Sequence, residues 1–269
     1  MNAFDTSVAQ YVNQFVGLYP HFDATVAFVS RNDLFKGGML CPILWLLWAG
    51  NDRGVEERRV RIISLIWACF VALVLARILA VVLPFRVRPQ HDPQLGLTLP
   101  HGMNPDALSS WSSLPSDHAA LFMALSVGLW FVSRRWGIIA MAYSAVVILL
   151  PRLYLGLHYP NDLLVGAGVG ALSAWLCNRP DVMRWLAQPM FAQYARHPGL
   201  VLAAMFLVTS QIAAMFEPTI DLAKTVGERA NRWSKQGIPQ VLKQGTPQVS
   251  KQSAPVPQEA VQGLPQAKL

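Results

Sequence analysis

Between Leu34 and Phe216, apolar residues run almost unbroken in six stretches, set apart by arginines, prolines and short polar clusters. The clearest, 60–83, is long enough for a transmembrane helix, since about 20 residues at about 1.5 Å each cross a hydrocarbon core of about 30 Å. The stretches 118–133, 136–150, 161–177 and 200–216 are shorter and are expected to borrow residues from their flanks. The stretch 34–49 is interrupted by Lys36, the Gly37–Gly38 pair and Pro42. This pattern predicts an all-α, polytopic transmembrane helical bundle of about six spans, with its core over 34–216. Ahead of it, 1–33 is only moderately apolar and is broken at Gly17 and Pro20, which fits an interfacial or re-entrant helical segment or a seventh crossing. After it, 217–269 passes from a helix-compatible stretch into a Pro/Gln-rich octad repeat (KQGIPQVL, KQGTPQVS, KQSAPVPQ). Such a repeat has too little apolar surface to build a core and reads as a disordered spacer.

Composition agrees with lipid as the solvent. Hydrophobic residues make up 53% of the chain and charged ones 14%, against about 25% charged in ordinary soluble domains. The formal charge of +7 comes from arginines scattered over short loops and lysines in the tail, with no basic helix interleaved with aromatics, so nucleic acid is not an expected partner. Cys41, Cys69 and Cys177 fall inside apolar stretches without metal-ligand spacing and read as small buried hydrophobes. Orientation follows from arginine placement. Arg53, Arg58, Arg59 and Arg61, then Arg134 and Arg135, then Arg179, Arg184 and Arg196 occupy alternate loops and mark the cytoplasmic face. The loops 84–117 and 151–160 then open on the opposite face.

Those two loops carry the chemistry. In LPRLYLGLHYPNDLLVG, His158 and Asp162 stand four apart across Pro160, at an apparent helix start. The carboxylate can reach back to one ring nitrogen of His158 and leave the other free as a nucleophile, or the pair can simply cap a helix at the membrane surface. Arg152, six residues before His158, is a bidentate grip for phosphate oxygens or a headgroup anchor. In SSLPSDHAALF, Pro115 predicts the first turn of a helix whose backbone N–H groups, around Ser116 and Asp117, face an anion. His118 then stands beside that anion, placed to protonate a departing oxygen. Arg86 and Arg88 precede it in LPFRVRP.

In this order, RP, PS-x-H and R-x5-H-x3-D strongly resemble the signature of the type 2 phosphatidic acid phosphatase superfamily: K-x6-RP, PSGH and SR-x5-H-x3-D. The resemblance covers roughly 60–177. It implies a helical core shared with vanadium haloperoxidases and a metal-independent lipid phosphatase without a cofactor. It also implies roles: Arg88, Arg152 and Ser116 bind phosphate, His118 is the general acid, His158 is the nucleophile that becomes phosphohistidine, and Asp162 holds it. Three positions depart from the family. Val81 stands where the lysine belongs, and Arg86, or less favourably Arg77, is expected to supply that charge. Asp117 replaces glycine; the resulting PSDH is similar to the undecaprenyl-diphosphatase branch and points to a polyprenyl diphosphate substrate. Pro151 replaces serine. The resemblance implies a bacterial inner-membrane protein with its site facing the periplasm or exterior. Phosphatidate, phosphatidylglycerol phosphate or lipid A phosphate as substrate, transfer to an acceptor other than water, and a non-enzymatic lipid-binding scaffold stay open at this point.

Overall fold

The computed structural model describes residues 2–51, 53–101, 103 and 108–216. The octad repeat and the stretch before it, 217–269, lie outside the described residues. Among those described, every regular element is helical: α1 (Ala3–Asn13), α2 (Pro20–Arg31), a π-helical turn (Leu34–Gly38), α3 (Cys41–Ala49), α4 (Val55–Val82) and a 3-10 turn (Pro89–His91). There follow α5 (Asp117–Val132) and α6 (Arg134–Tyr143), which continues through a π-helical turn (Ser144–Leu149) into α7 (Leu150–Tyr154). The chain then forms α8 (Pro160–Cys177), α9 (Pro180–Leu186), α10 (Gln188–Arg196) and α11 (Pro198–Ala213).

Two helices are long and apolar enough to cross a membrane, Val55–Val82 and the continuous Arg134–Tyr154. Leu34–Ala49, Asp117–Val132 and Pro198–Ala213 are apolar but shorter. Several boundaries differ from the sequence reading. The stretch 34–49 bends at the glycine pair, and only its second half is α-helical. The helix predicted to end at 150 runs to Tyr154, because the π-helical turn lets it continue past Pro151. Arg152 therefore lies on a helix and not on the loop expected over 151–160. The 28-residue α4 has Gly54 before it at φ +86°, a conformation that glycine adopts without strain. It ends at Leu83, which Pro84 holds extended.

α4, α5 and α8 form the centre. α5 and α8 run side by side in the same direction, and their contact is made of small residues. A Cβ on Gly166 would overlap the Ser116 carbonyl, and one on Gly170 would overlap the Ala120 carbonyl and press on the Ala124 nitrogen. Ala119, Ala120 and Ala124 complete this seam, fully buried. Helices without a strong hydrophobic drive between them pack best where small side chains let backbones meet. α4 runs antiparallel to both: the Ser64 hydroxyl donates to the Cys177 carbonyl, Leu65 fills the space over Gly128, and Arg61 reaches the Phe131 carbonyl. The C-terminus of α4 and the N-termini of α5 and α8 thus meet at one end of the bundle, and the arginine-rich loops at the other. The N-terminal helices α1 and α2 pack within this same unit.

The seam yields a paired prediction. Gly166→Ala and Gly170→Ala each force backbone apart and are expected to cost about 1–3 kcal/mol, the usual range for overpacking, read as a lower melting temperature in detergent. Gly168→Ala, where nothing lies within 4 Å of the added carbon, is expected to be neutral or mildly stabilising. Equal losses at all three would show that close approach does not govern this face.

Candidate active site

Ser116 starts the site. It is the N-cap of α5, accepting the Ala119 N–H on its hydroxyl at 3.4 Å, and its own N–H donates to the Asp162 carbonyl at 3.1 Å. This bond fastens the start of α5 to the start of α8. Pro115, expected in the first helical turn, instead precedes the cap. Of the N–H groups at this helix start, that of Ser116 is in use on the Asp162 carbonyl and that of His118 on the Asp117 carboxylate at 2.9 Å.

Asp162, the third residue of α8, is fully buried. One oxygen accepts the Tyr159 N–H at 2.8 Å, fixing the turn into the helix. The other accepts Arg86 Nη1 at 2.5 Å. Arg86 Nη2 reaches Asp5 of α1 at 2.6 Å, and the guanidinium lies over the Tyr159 ring at 4.2 Å. Asp5, also fully buried, takes the backbone and side-chain N–H groups of Asn161 at 3.0 and 3.2 Å. Arg86 is thus enclosed by two carboxylates and a ring. The expectation that it supplies the charge missing at Val81 does not fit this geometry, because its own charge is already matched.

His158 is 2% exposed. Its Nδ1 lies 2.9 Å from the Ser113 carbonyl oxygen and 3.9 Å from Asp162 Oδ2. A carbonyl can only accept, so Nδ1 carries the proton and Nε2 keeps its lone pair. The expected direct hydrogen bond from His158 to Asp162 is replaced by this carbonyl, while the carboxylate acts at longer range. Burial, with Arg88 beside it, holds the His158 pKa below the ordinary histidine value. Nε2 faces Arg88 Nη1 at 3.4 Å. Arg88 itself is held by neutral acceptors, the carbonyls of Leu157 at 2.8 Å and of Trp111 and Ser112 at 3.3 Å. Gly156, at φ +67°, turns its carbonyl onto the Gln90 N–H at 2.9 Å and locks this loop to the segment carrying Arg88.

The second histidine is arranged in parallel. His118 Nδ1 lies 3.0 Å from Asp117 Oδ1, and its Nε2 is in very close contact with Arg152 Nη2. A guanidinium only donates, so Nε2 accepts and Nδ1–H points to Asp117. Asp117 Oδ2 pairs with Arg77 at 2.9 Å, and Arg77 lies over the Trp111 ring. The acidic residue in the glycine position therefore orients a histidine and is offset by an arginine from inside α4. Arg152, 8% exposed, also donates to the Ser30 carbonyl at 3.1 Å. Beside it, Val29, Phe35, Tyr143, Val147 and Pro151 line an apolar groove of about 430 Å³. Among the described residues, no group of three His, Cys, Asp or Glu side chains is placed to hold a metal ion.

Arg88, Ser116, His118, Arg152, His158 and Asp162 are all brought to one end of the bundle. Asp5, Ser30 and the Ser113 carbonyl were not anticipated. The first two lie in the N-terminal segment without a motif, and a carbonyl leaves no trace in residue identity.

Residues 61–185 match the PAP2 superfamily. A segment of 63 residues, 23% of this chain, is 44% identical to a lipid A 4'-phosphatase of Bacteroides thetaiotaomicron, and covers 28% of that protein's length. Over 158 residues, 58% of this chain and 73% of its relative, the chain is 28% identical to YbjG of Escherichia coli K12, named as an undecaprenyl-diphosphatase. The crystal structure of Aquifex aeolicus LpxE covers 64% of this chain and 92% of its own at 22% identity, with a TM-score of 0.47. From α4 through α9 the matched residues 61–185 include both histidines with Arg88, Asp117, Arg152 and Asp162 beside them, and it is this stretch that is similar to the PAP2 superfamily.

Proposed function

We propose that this protein is an integral-membrane lipid phosphatase that releases the terminal phosphate of a polyprenyl diphosphate through a phosphohistidine at His158. One observation carries the reading: two imidazoles with defined tautomers, each with Nε2 against a buried arginine, sit at one end of an apolar bundle. A phosphoryl group drawn in by Arg88 and Arg152 meets the His158 Nε2 lone pair in line with its leaving oxygen. Nε2 attacks phosphorus, the phosphorus–oxygen bond to the lipid breaks, and the electron pair leaves on that oxygen. When the phosphate engages Arg152, His118 Nε2 is freed to carry a proton. Asp117 steadies the imidazolium, which protonates the leaving oxygen. His118 then takes a proton from water as it attacks the phosphohistidine, releasing phosphate and restoring both rings. Asp162 and Arg86 hold the loop carrying His158 in place. The hydrocarbon tail lies in the apolar groove beside Pro151.

The Pro115–His118 tetrad supports the diphosphate substrate, and the local identity to the lipid A 4'-phosphatase supports a lipid A phosphate as the second reading. Phosphate release by purified protein from a panel of both lipids separates them. His158→Ala is expected to lower release at least about 1,000-fold, about 4 kcal/mol in the barrier, with the protein still inserted. His118→Ala is expected to lose more on a lipid phosphate than on an activated aryl phosphate, whose leaving group needs less protonation. Equal loss on both substrates would remove His118 from the general-acid role.

The pH profile has a definite sign. The nucleophile must be neutral, and burial lowers the His158 pKa in the folded state. The acid limb of kcat/KM in the free enzyme is therefore expected below about 6.5, the ordinary histidine value. The same shift makes the protonated ring favour the unfolded chain. Its stability contribution is complete above the unfolded value and declines as pH falls through it. An acid limb at or above 6.5 would contradict a buried neutral nucleophile.

Orientation is open to a direct test. With the three native cysteines replaced, Gln94→Cys is expected to react with a membrane-impermeant thiol reagent from outside the cytoplasm, and Arg135→Cys only after the cytoplasmic side is opened. Both positions are exposed and at opposite ends of the bundle. The reverse pattern would invert the proposed placement.

A further inference from the structure

Asp5 stands in the first turn of α1, outside the matched region 61–185, and its side chain is fully buried. Ala9, one turn on and on the same face, is buried in a cluster with Leu95 and Tyr159. Asn13 adds a further anchor, its side chain holding both the N–H and the carbonyl of Thr98 at 2.9 and 2.8 Å. Ala9 and Asn13 thus dock α1 with neutral side chains. Burying a carboxylate costs several kcal/mol unless its partners compensate, so the charge at Asp5 calls for a reason beyond docking.

The cation that meets Asp5 is the one that also meets Asp162. Arg86 Nη2 lies 2.6 Å from Asp5 Oδ2, and Nη1 lies 2.5 Å from Asp162 Oδ1. Asn161 adds its backbone and side-chain N–H groups to Asp5. Two carboxylates therefore share one guanidinium, and the set keeps one net negative charge. Asp162 Oδ2, the oxygen not engaged by Arg86, lies 3.9 Å from His158 Nδ1. The backbone of Arg86 serves the same ring: its carbonyl accepts the Ser113 N–H at 3.0 Å, and the Ser113 carbonyl accepts from His158 Nδ1 at 2.9 Å. When Nε2 bonds to phosphorus, the bond to the lipid oxygen breaks, and that oxygen keeps the electron pair and takes a proton from His118. The His158 ring retains its Nδ1 proton and becomes cationic. A carboxylate fully matched by its own arginine would be a weak partner for that cation, and one that shares its arginine is a stronger one.

We propose that Asp5 is a positioning residue of the His158 site: by sharing Arg86 it leaves negative charge on Asp162 to steady the His158 ring as it becomes cationic. The inference rests on the phosphohistidine reading, although the charge balance it describes exists before any turnover. The charged groups acting on the ring are Arg88, Asp117 and Asp162, with Arg86 and Asp5 behind the last of these.

The full-length protein, labelled with heavy nitrogen at histidine, is titrated in detergent by nuclear magnetic resonance, and His158 is read as the signal absent from His158→Gln. The acid limb of kcat/KM is measured alongside. Removing a negative charge near the ring disfavours its protonated form, and removing a positive one favours it. Asp5→Asn, close to the native shape, is therefore expected to lower the midpoint by about half a pH unit, and kcat by about 30-fold with KM within about threefold. Arg86→Gln is expected to raise the midpoint by a similar amount, and the double variant to return toward the native value. Asp5→Glu, longer but charged, is expected to keep the midpoint near native. If Asp5→Asn does not insert, Asp5→Ser, small and neutral, is read in its place. A midpoint unmoved by the neutral substitution, or moved in the same direction by it and by Arg86→Gln, would reduce Asp5 to an anchor of α1 and overturn the proposal. A native protein that releases no phosphate from any lipid, with the opposed midpoint shifts intact, would overturn the phosphatase reading and leave the charge sharing standing.

Discussion

The close approach of α5 and α8 is the constraint from which the rest of the site follows. Gly166 and Gly170 bring the α8 backbone against the carbonyls of Ser116 and Ala120, and only at that separation can the Ser116 N–H reach the Asp162 carbonyl. Because the two helices run in the same direction, their N-terminal turns lie together. The residues that open those turns, Ser116 to His118 on one and His158 to Asp162 on the other, become neighbours although some forty residues separate them in sequence. A wider seam, filled by larger side chains, would separate the histidine-bearing turns without altering either motif.

Charge is distributed unevenly around this junction, and the unevenness is informative. Of four arginines near the site, Arg77 and Arg86 face carboxylates, Asp117 for one and Asp5 with Asp162 for the other. Buried pairs of this kind add little net stability, because desolvation offsets most of their attraction, but removing one partner strands a charge in a low-dielectric interior. They are suited to holding loops in one arrangement. Arg88 and Arg152 instead face imidazole nitrogens and backbone carbonyls. Neutral acceptors orient the Arg88 guanidinium without cancelling its charge, so the field at the His158 Nε2 atom favours an anion.

Much of this arrangement was legible in the sequence, for identifiable reasons. Apolar stretches long enough to form helices announced the bundle, and the motifs fell at the ends of those stretches, where loops and helix starts expose polar side chains. The order of Arg88, Ser116, His118, Arg152, His158 and Asp162 relative to the apolar stretches was sufficient to expect them together at one end of the bundle. Less legible was everything decided by backbone geometry or by sequence-distant packing. The continuation of α7 past Pro151 depends on a π-helical turn with no strong compositional mark. The partner of His158 Nδ1 is a carbonyl, which every residue has. Asp5 stands in the first turn of α1 with no motif around it, and only tertiary packing delivers Arg86 and Asn161 to it.

Asp117 shows why a departure from a family pattern has to be argued from its neighbours. In isolation, a carboxylate in the glycine position of a phosphate-binding motif repels the substrate. In the structure its two oxygens have separate tasks, one accepting the His118 ring and the other ending on Arg77. The residue thereby sets the tautomer of His118 and links it to a cation within α4, and the pair presents little net negative charge to the phosphate. The lysine position tells the converse story. Val81 is 81% exposed on the outside of α4 and could not face the site whatever side chain it carried.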